Sequence, residues 1–377
     1  MNKHQPRAII AAGGTGGHIY PGVALAQELK ERGYECLWIG SGSKLEKAIL
    51  DSEPIQYKKI LAKPFRGSSL FSKFLLPFHL IVALSQALWL IGMYKPDYVI
   101  TTGGYVSVTT AFAAKICQHK VFMCEQNSRA GLTNRLVSRI ANGLFTAYPG
   151  VFKTNRKRKI WQVGNPLRKN IIQRIENAKI NQQSSLNTIN ILVMGGSQGA
   201  QVFNEQLPRL LQNIENKHAI NILHQAGDKA NIDTIQEKYG TYGLKANVVK
   251  YIDDMALAYS NADFAIARSG ALTLTELMSA GLPSILVPLP NSADNHQYYN
   301  ALHHSRRGAC WLLCQNDLVR DGYIENLVNT LTSCPDIRQK MRSSCEKLKT
   351  TDAAKSIITQ CEVLSPRLKT SADITPS

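Results

Sequence analysis

The strongest constraint on the fold is a strand, glycine turn and helix pattern that occurs twice. Near the start, the apolar run Arg7–Ala12 leads into the glycine turn 13–18 (Gly-Gly-Thr-Gly-Gly-His), and a stretch of helical period covers residues 21–32. In the second half, Ile189–Met194 precedes the glycine turn 195–199, and a helix is expected over residues 200–214. Apolar strands that alternate with helical stretches are typical of a parallel α/β sheet.

Further apolar runs extend this pattern and predict two domains. A chain of 377 residues exceeds what one hydrophobic core usually serves. We therefore expect an α/β protein with two Rossmann-like domains, over residues 1–165 and 166–344, whose parallel sheets face a cleft. The polar end, 365–377, is expected to be disordered. The other expected strands are 36–40, 98–102, 219–225, 247–252, 264–267 and 284–287.

Positive charge is concentrated in the first half of the chain. The whole chain has 44 Lys+Arg and 27 Asp+Glu, for a net charge of +17. Residues 1–165 hold 22 basic and 8 acidic residues (+14), which leaves 22 and 19 (+3) for the remainder. The asymmetry indicates an anionic partner, either a nucleic acid or a membrane leaflet, to which each nearby cation adds about 1 kcal/mol. A solvated basic surface is the alternative, and the basic run 153–159 fits it.

The cysteines and the first residues indicate a reduced compartment. The eight cysteines form no paired C-x-x-C motifs and have no histidines at zinc-binding spacing. The first residues lack the long apolar core and cleavage site of a signal peptide. We expect the protein to remain inside the cell.

Residues 74–94 contain no Asp, Glu, Lys or Arg and are long enough to span a bilayer as a helix. Against a span, Pro77 and the polar pair Ser85-Gln86 interrupt the stretch, and the strand at 98–102 must return to the first sheet. We predict a helix packed on its domain whose excess apolar surface enters a membrane interface. A fully buried core helix is the alternative.

The glycine turns suggest phosphate binding, because backbone N–H groups at a helix start stabilise anions. The dinucleotide fingerprint G-x-G-x-x-G is not completed after Gly14, and no G-x-x-x-x-G-K-[ST] loop occurs. NAD enzymes and P-loop NTPases are therefore disfavoured. No D-x-D motif is present either, so we expect no metal, and Asp253-Asp254 is predicted to cap a helix.

Eight short motifs resemble one family, the UDP-N-acetylglucosamine transferases of peptidoglycan synthesis known as MurG proteins. They occur in the family's order over almost the whole chain, which makes the set specific although each motif is weak. The motifs are Gly13–His18 with Pro21-Gly22, Gly103–Ser107, Glu125–Asn127, Gly164–Pro166 with Arg168, Gly195–Ala200, Ile252–Met255, Arg268–Thr273 with Glu276, and His296-Gln297 with Asn300-Ala301.

This resemblance implies a GT-B glycosyltransferase with no cofactor. The acceptor would bind the N-terminal domain and the UDP-sugar the C-terminal one, and a final helix at about 345–364 would pack back on the first domain. The implied reaction is inverting transfer of N-acetylglucosamine from UDP-GlcNAc to the 4-hydroxyl of an undecaprenyl-linked muramoyl-pentapeptide. The implied location is the cytoplasmic face of the bacterial inner membrane, as a peripheral protein on an anionic surface. Other cell-wall synthesis and division proteins are possible partners, and no nucleic acid is expected.

Three residues are expected to act in catalysis: His18, Tyr105 and Glu125. Inverting transfer needs a base for the acceptor hydroxyl. His18 lies where a helix should begin, and the positive end of the helix dipole disfavours its protonated form. Alternatively, His18 only orients its loop or binds a phosphate, and Tyr105 could be a core aromatic. By resemblance, Tyr105 and Glu125 lie on the acceptor side.

The remaining expected site residues contact the substrates. Arg168 and Ser197 suit a leaving diphosphate, and Glu276 suits the ribose hydroxyls, although Thr273 and Glu276 also have capping-box spacing. Carboxamides can donate and accept hydrogen bonds, which suits Asn127 and Gln297 for the sugar. The role of His296 stays open. The full substrate set is Thr15, Gly16, Gly17, Asn127, Arg168, Ser197, Ile252, Ala271, Leu272, Thr273, Leu274, Thr275, Glu276 and Gln297.

Two other functions compete with the transferase. A UDP-GlcNAc epimerase can share the GT-B architecture, but it acts on a soluble substrate and would not need the apolar segment or the basic first half. A non-catalytic membrane scaffold could retain the fold, but His18, Arg168 and Glu276 are all chemically competent.

Overall fold

The computed structural model describes residues 5–62, 76–153, 159–180, 188–196 and 199–365. The chain divides into two compact units. Unit 1 contains the residues up to Gln126, Ala130–Arg168 and the residues from Asp352 on. Unit 2 contains Asn127–Arg129 and Lys169–Thr351. Residues from 366 on, where a disordered tail is expected, lie outside the described part.

Unit 1 is built on a seven-stranded sheet with the order β3-β2-β1-β4-β5-β6-β7, in which every pairing is parallel. Its strands are β1 Arg7–Ala12, β2 Glu35–Gly40, β3 Gln56–Lys59, β4 Tyr98–Gly103, β5 Lys120–Glu125, β6 Gly143–Thr146 and β7 Lys159–Gln162. Its described helices are α1 Gly16–Glu31, α2 Lys44–Leu50, α3 Leu76–Tyr94, α4 Tyr105–Ile116, α5 Leu132–Val137 and the last helix of the chain, α15 Ala353–Leu364.

Both faces of the central strands of the unit 1 sheet are buried, because their residues alternate between two apolar clusters. Ile10 packs with α1 and α15 on one face, and Ile9 packs with α3 and α4 on the other. On the first face, Arg32 at the end of α1 forms ion pairs with Glu28 at 2.9 Å and with Glu362 of α15 at 2.7 Å.

Unit 2 contains a six-stranded parallel sheet with the order β10-β9-β8-β11-β12-β13. Its strands are β8 Ile189–Met194, β9 Ile220–Gln225, β10 Lys245–Val249, β11 Phe264–Ala267, β12 Ser284–Leu286 and β13 Cys310–Leu312. Its helices are α6 Lys169–Ile180, α7 Gln201–Leu210, α8 Ile232–Thr241, α9 Met255–Asn261, α10 Ala271–Ala280, α11 His296–Ser305, α12 Gln315–Leu318, α13 Tyr323–Ser333 and α14 Pro335–Leu348.

The strands and helices of the two predicted strand, glycine turn and helix patterns are confirmed, with shifted ends. Helix α1 begins at Gly16 instead of residue 21 and continues through Pro21, losing only the one backbone bond that proline cannot donate. Helix α7 ends at Leu210 instead of 214. Ile214 still packs in the core, so the apolar pattern in the sequence continues beyond the end of the helix. Strand β10 ends at Val249 instead of 252, because it pairs there with Gln225, the last residue of β9.

Two helices cover the segment 345–364, where one final helix is expected. Residues 345–348 belong to the end of α14, and α15 begins at Ala353. The backbone leaves helical geometry at Lys349, which has an extended conformation (φ −60°, ψ 133°). The boundary between the two units falls after Thr351.

Helix α3 covers most of the apolar segment 74–94, and residues 74 and 75 lie outside the described part. Pro77 does not interrupt it, because the second position of a helix needs no intrahelical N–H bond. The fully buried alternative is wrong, since the exposed fractions of Phe78, Ile81, Trp89 and Met93 are 64–67%. Among the described residues, no helix is long and apolar enough to cross a membrane.

Candidate active site

A β-bulge between β1 and β4 positions His18, the expected base. Ala11 pairs with Thr101 and Ala12 pairs with Gly103, so Thr102 is an extra residue in β4. Bulges re-aim groups next to functional sites. Here the Thr102 carbonyl oxygen lies 3.0 Å from His18 Nδ1, and Thr102 Oγ1 donates to the His18 carbonyl at 2.8 Å. The two residues therefore hold each other through both backbone and side-chain groups.

The Thr102 carbonyl determines the tautomer of the imidazole. A carbonyl oxygen can only accept a hydrogen bond, so Nδ1 must carry the proton in that contact. The neutral ring then has its lone pair on Nε2, the arrangement that a general base requires. His18 is partly exposed in the first turn of α1, as the glycine turn predicts.

Glycines allow the two turns of unit 1 to approach each other. Gly13 N–H donates to the Gly103 carbonyl at 3.3 Å. A Cβ atom at Gly103 would lie 2.3 Å from His18 Nδ1, and one at Gly104 would lie 2.3 Å from the Gly13 carbonyl oxygen. The hydroxyl of buried Ser107 accepts from Gly103 N–H at 3.1 Å and reaches the Ala11 carbonyl at 2.9 Å. This contact ties the start of α4 to β1.

Glu125 and Tyr105 end or follow neighbouring strands of the same sheet. Glu125 is the last residue of β5 and is buried, and its Oε2 accepts from Asn134 Nδ2 at 2.8 Å. Tyr105 is the first residue of α4, directly after Gly104, which follows β4, and is partly exposed. The sheet thus brings His18, Tyr105 and Glu125 to one edge, the carboxyl ends of β1, β4 and β5.

The start of α1 carries the other expected contacts of unit 1. Thr15 is the exposed N-cap residue, and Gly16 and Gly17 form the first turn. Arg168 lies over the ring of Tyr20, with its guanidinium carbon 4.5 Å from the ring centroid. A cation over a tyrosine ring is attracted to it, so Tyr20 fixes the direction of the arginine.

In unit 2, Gly199 at the end of the expected glycine turn is also crowded. A Cβ atom at Gly199 would lie 1.9 Å from the Ala226 carbonyl oxygen, and its φ of +72° also favours glycine. Ser197 lies outside the described residues. Ile252 follows β10 and is partly exposed. The predicted cap is confirmed, because Asp254 is the N-cap residue of α9 and its side chain accepts from Leu257 N–H.

The start of α10 contains six expected contacts, from Ala271 to Glu276. The capping-box alternative is wrong, because the N-cap residue is Gly270 and Thr273 lies inside the helix. Glu276 instead accepts a hydrogen bond from the hydroxyl of buried Tyr259 at 2.7 Å. Burial, together with the Glu276 carboxylate, raises the pKa of Tyr259 well above its ordinary value, so this tyrosine stays a donor.

Buried Asn300 joins the two expected sugar contacts of unit 2. Its Nδ2 donates to Asn127 Oδ1 at 3.2 Å and to the Ser269 carbonyl at 3.4 Å. Ser269 Oγ donates to the Gln297 carbonyl at 2.9 Å, and Gln297 Oε1 accepts from Leu289 N–H at 2.9 Å. His296 is different, because its Nδ1 bonds the Ala293 carbonyl of its own loop at 2.7 Å.

Arg268 is a buried cation next to this network. It donates to the Val287 and Pro288 carbonyls at 3.1 and 3.0 Å, and burial lowers its pKa to about 10. These bonds hold the loop that carries Leu289. Within the described residues, no group of three or more His, Cys, Asp or Glu side chains is placed to hold a metal ion.

Comparisons with known proteins agree with this architecture. Residues 8–146 match the N-terminal domain model of glycosyltransferase family 28, and residues 190–358 match the C-terminal domain model of the same family. Together the matches cover well over half of the chain. The chain belongs to glycosyltransferase family 28.

Two named relatives are similar to this chain over nearly their whole length. A protein of Haemophilus ducreyi is 37% identical over 95% of this chain and 98% of its own, and one of Colwellia psychrerythraea is 38% identical over 95% and 92%. Both are named UDP-N-acetylglucosamine--N-acetylmuramyl-(pentapeptide) pyrophosphoryl-undecaprenol N-acetylglucosamine transferase. The chain is therefore a family 28 glycosyltransferase of the MurG type.

Solved structures show the same fold. The crystal structure of Acinetobacter baumannii MurG matches with a TM-score of 0.79 and 30% identity, over 96% of this chain and 100% of that one. This likeness and the two parallel-sheet units establish the GT-B fold. A UDP-GlcNAc 2-epimerase from Neisseria meningitidis has a TM-score of 0.66 at 14% identity, over 95% and 99%, which shows a shared fold only.

Several buried residues support the expected site residues in ways that the sequence did not indicate. Thr102, Asn134, Tyr259 and Asn300 each bond an expected site residue, and all four are buried. Asn300 lies within one of the eight family-like motifs, but its residue type alone indicated no role. A usable signal is a polar residue at a buried position of an element, because such a residue needs a specific partner.

Proposed function

We propose that this protein transfers N-acetylglucosamine from UDP-GlcNAc to the 4-hydroxyl of an undecaprenyl-diphosphate-linked muramoyl-pentapeptide, with inversion at the anomeric carbon. The named relatives at 37–38% identity support the choice of substrates. The observation that carries the chemistry is the Thr102 carbonyl on His18 Nδ1, because it leaves the basic lone pair on Nε2.

His18 acts as the general base of this reaction. Nε2 takes the proton of the acceptor hydroxyl while the hydroxyl oxygen forms a bond to the anomeric carbon. At the same time the bond from that carbon to the diphosphate oxygen breaks, and UDP is released. The imidazolium that forms keeps its Nδ1 bond to Thr102. A positioned base of this kind contributes about 10² to 10⁴-fold in rate. Tyr105 and Glu125, with Thr15, Gly16 and Gly17, serve the acceptor side.

The other residues hold the sugar nucleotide. Arg168, Ser197 and the N-terminus of α10 stabilise the diphosphate as it gains charge. Ile252 meets the uracil through its backbone, and Glu276 accepts from the ribose hydroxyls. The Tyr259 bond supports this role for Glu276, because it fixes the carboxylate in one orientation. Asn127 and Gln297 recognise the sugar.

Transfer to a soluble acceptor analogue tests the proposal. We would incubate the enzyme with radiolabelled UDP-GlcNAc and a short-chain lipid acceptor in EDTA, beside His18→Ala and His18→Gln. We expect disaccharide-lipid from the wild type, a loss of about 10² to 10⁴-fold in both variants, and unchanged UDP binding. Conversion of UDP-GlcNAc to an epimer, with no disaccharide formed, would replace the transferase by the epimerase.

The exposed side of α3 is proposed to contact an anionic membrane. Ile81, Trp89 and Met93 are exposed there, and α3 packs against α4, which exposes Phe112 and Ile116. The +14 charge of residues 1–165 adds attraction to anionic lipid. A lipid-linked acceptor requires such contact, which would place the enzyme at the cytoplasmic face of the inner membrane. Roles in cell shape and division, through other cell-wall proteins, would follow from that reaction.

Vesicle sedimentation tests this surface. Replacing Ile81, Trp89 and Met93 with serine should reduce binding to vesicles containing phosphatidylglycerol, while transfer to the short-chain acceptor is retained. The matched control is Val363→Ser with Tyr323→Ser, because both residues are exposed and apolar but lie on α15 and α13. Equal sedimentation of the triple variant and the control would exclude α3 as the membrane contact.

A further inference from the structure

Backbone N–H groups fix the orientation of two carboxamides in unit 2. Ser128 N–H and Ser128 Oγ both donate to Asn300 Oδ1 at 2.8 Å. Leu289 N–H donates to Gln297 Oε1 at 2.9 Å. Oxygen and nitrogen of a carboxamide can usually be exchanged without changing its shape, but a backbone N–H can only donate. The atom that faces each N–H must therefore be the oxygen.

The fixed orientation of Asn300 is passed on to Asn127. With its oxygen on Ser128, Asn300 directs its NH2 group to Asn127 Oδ1 and to the Ser269 carbonyl. Asn300 is fully buried, so a reversed amide would place its NH2 against the Ser128 N–H without solvent to compensate. Asn127 must therefore turn its oxygen to Asn300 and its own NH2 group to the opposite side.

The Gln297 carboxamide also has its oxygen on a protein N–H group, for a reason that does not involve Asn300 as a donor. Its oxygen is held by Leu289 N–H, in the loop that Arg268 anchors through the Val287 and Pro288 carbonyls. Its backbone carbonyl accepts from Ser269 Oγ, and Ser269 is itself bonded to Asn300. Both carboxamides expected at the sugar therefore have their oxygens on protein N–H groups.

We propose that Asn127 and Gln297 recognise the transferred sugar as hydrogen-bond donors, and that Asn300 is the positioning residue that imposes this polarity on Asn127. The inference rests on the proposed function and specifies it further: the sugar oxygens accept at both residues, and the hydroxyl protons are directed elsewhere. A sugar whose contacted hydroxyl is replaced by fluorine, which accepts weakly but cannot donate, should lose less affinity than the deoxy sugar.

Two variants test the donor polarity at positions that are partly exposed in the protein. Asn127→Asp and Gln297→Glu keep the oxygen that accepts from Asn300 or Leu289 and replace the NH2 group by a second oxygen. The measured quantity is the ratio of UDP-GlcNAc affinity to UDP affinity by calorimetry, which removes general effects of the added charge. We expect the ratio to fall by about tenfold or more in each variant. Asn295→Asp, two residues before Gln297, adds the same charge as a control and should leave the ratio unchanged.

A third variant tests the role of Asn300. Asn300→Asp keeps the acceptor for Ser128 but presents an oxygen to Asn127, which must then turn its NH2 group inward and its oxygen towards the sugar. The affinity ratio should fall as in Asn127→Asp, with the acceptor KM unchanged. Asn329→Asp, where Oδ1 accepts from Glu215 N–H, is the matched control on α13. Thermal unfolding identifies a folding defect, in which case the first two variants decide the polarity.

Each result has a distinct meaning. Unchanged ratios in Asn127→Asp and Gln297→Glu would overturn the donor polarity. If the ratio of UDP-GlcNAc affinity to UDP affinity fell in those two variants but kept its wild-type value in Asn300→Asp, the role of Asn300 would be overturned. If the wild type itself bound UDP-GlcNAc no better than UDP and formed no disaccharide, the proposed function would fail instead.

Discussion

Replacing Gly103 by alanine should displace His18 and slow transfer. An alanine Cβ at this position would lie 2.3 Å from His18 Nδ1, whereas ordinary contacts begin at 3.4 Å. The imidazole must therefore move by about 1 Å, which also strains its bond to the Thr102 carbonyl. A misplacement of about 1 Å can cost about 10²-fold in rate. We expect kcat to fall by about that factor, with the KM for UDP-GlcNAc nearly unchanged.

The control for this variant must carry backbone strain of the same kind, from a positive φ, without the contact. Gly103 has a φ of +128°, which disfavours any side chain, so part of the effect of alanine is a loss of stability. Gly33 has a φ of +79°, and a Cβ atom there would meet no atom within 4 Å, so Gly33→Ala adds strain alone. It should lower the melting temperature but leave kcat intact.

The assay is transfer to the short-chain acceptor under saturating UDP-GlcNAc, with thermal unfolding measured in parallel. A folded Gly103→Ala enzyme with kcat within about threefold of the wild type would refute the argument, because a base cannot be displaced by about 1 Å at so little cost. An equal fall in Gly33→Ala would attribute the loss to instability.

Three further predictions concern other contacts. Tyr20→Leu should raise the KM for UDP-GlcNAc about fivefold, because it removes a cation–π contact of about 1 kcal/mol with Arg168. Tyr20→Phe keeps the ring and should keep the KM. Equal KM values in the two variants would contradict this role of the ring. Glu276→Gln should weaken UDP about tenfold but not 2′,3′-dideoxy-UDP, and equal losses would remove Glu276 from the ribose. Burial lowers the pKa of His224 to about 4, below the 6.5 of an unfolded chain, so stability falls as the pH drops from about 6.5 to about 4. His224→Gln should make that slope shallower by up to about 1.4 kcal/mol per pH unit in acid denaturation, and an unchanged slope would refute the assignment.

Local patterns were sufficient for most of the strands and for the glycine turn before α1. Phe264–Ala267 and the last four residues of Ile189–Met194 are short apolar runs buried on both faces, so composition alone predicts them. Helix ends were less predictable. The expected start of α1 at Pro21 failed because the N-cap is Thr15, whose extended backbone begins the helix without a side-chain cap bond. Pro21 was interpreted as the first residue of the helix, but the structure accommodates it inside the helix.

The site was predictable for residues within motifs but not for the groups that orient them. His18 follows from its glycine turn, whereas its partner Thr102 is 84 positions away and acts through a backbone carbonyl. Asn127 follows from its motif, whereas Asn300 is 173 positions away. These contacts depend on which strands and helices become neighbours, which no local pattern encodes. The tertiary structure therefore determines which atom of each of these side chains donates and which accepts a hydrogen bond.

The bulge at Thr102 explains how one sheet can serve both structure and chemistry. In a regular parallel pairing, each β4 carbonyl on the side of β1 would lie in the plane of the sheet and accept from a β1 N–H. Between Thr101 and Gly103 the pairing with β1 skips one residue, so the Thr102 carbonyl is directed to His18 instead. Since a backbone carbonyl cannot reverse its polarity, the tautomer of His18 is set by strand register and not by another titratable side chain. The orientation of Asn300 by Ser128 N–H follows the same logic, so the backbone fixes the direction of proton donation at both expected sites.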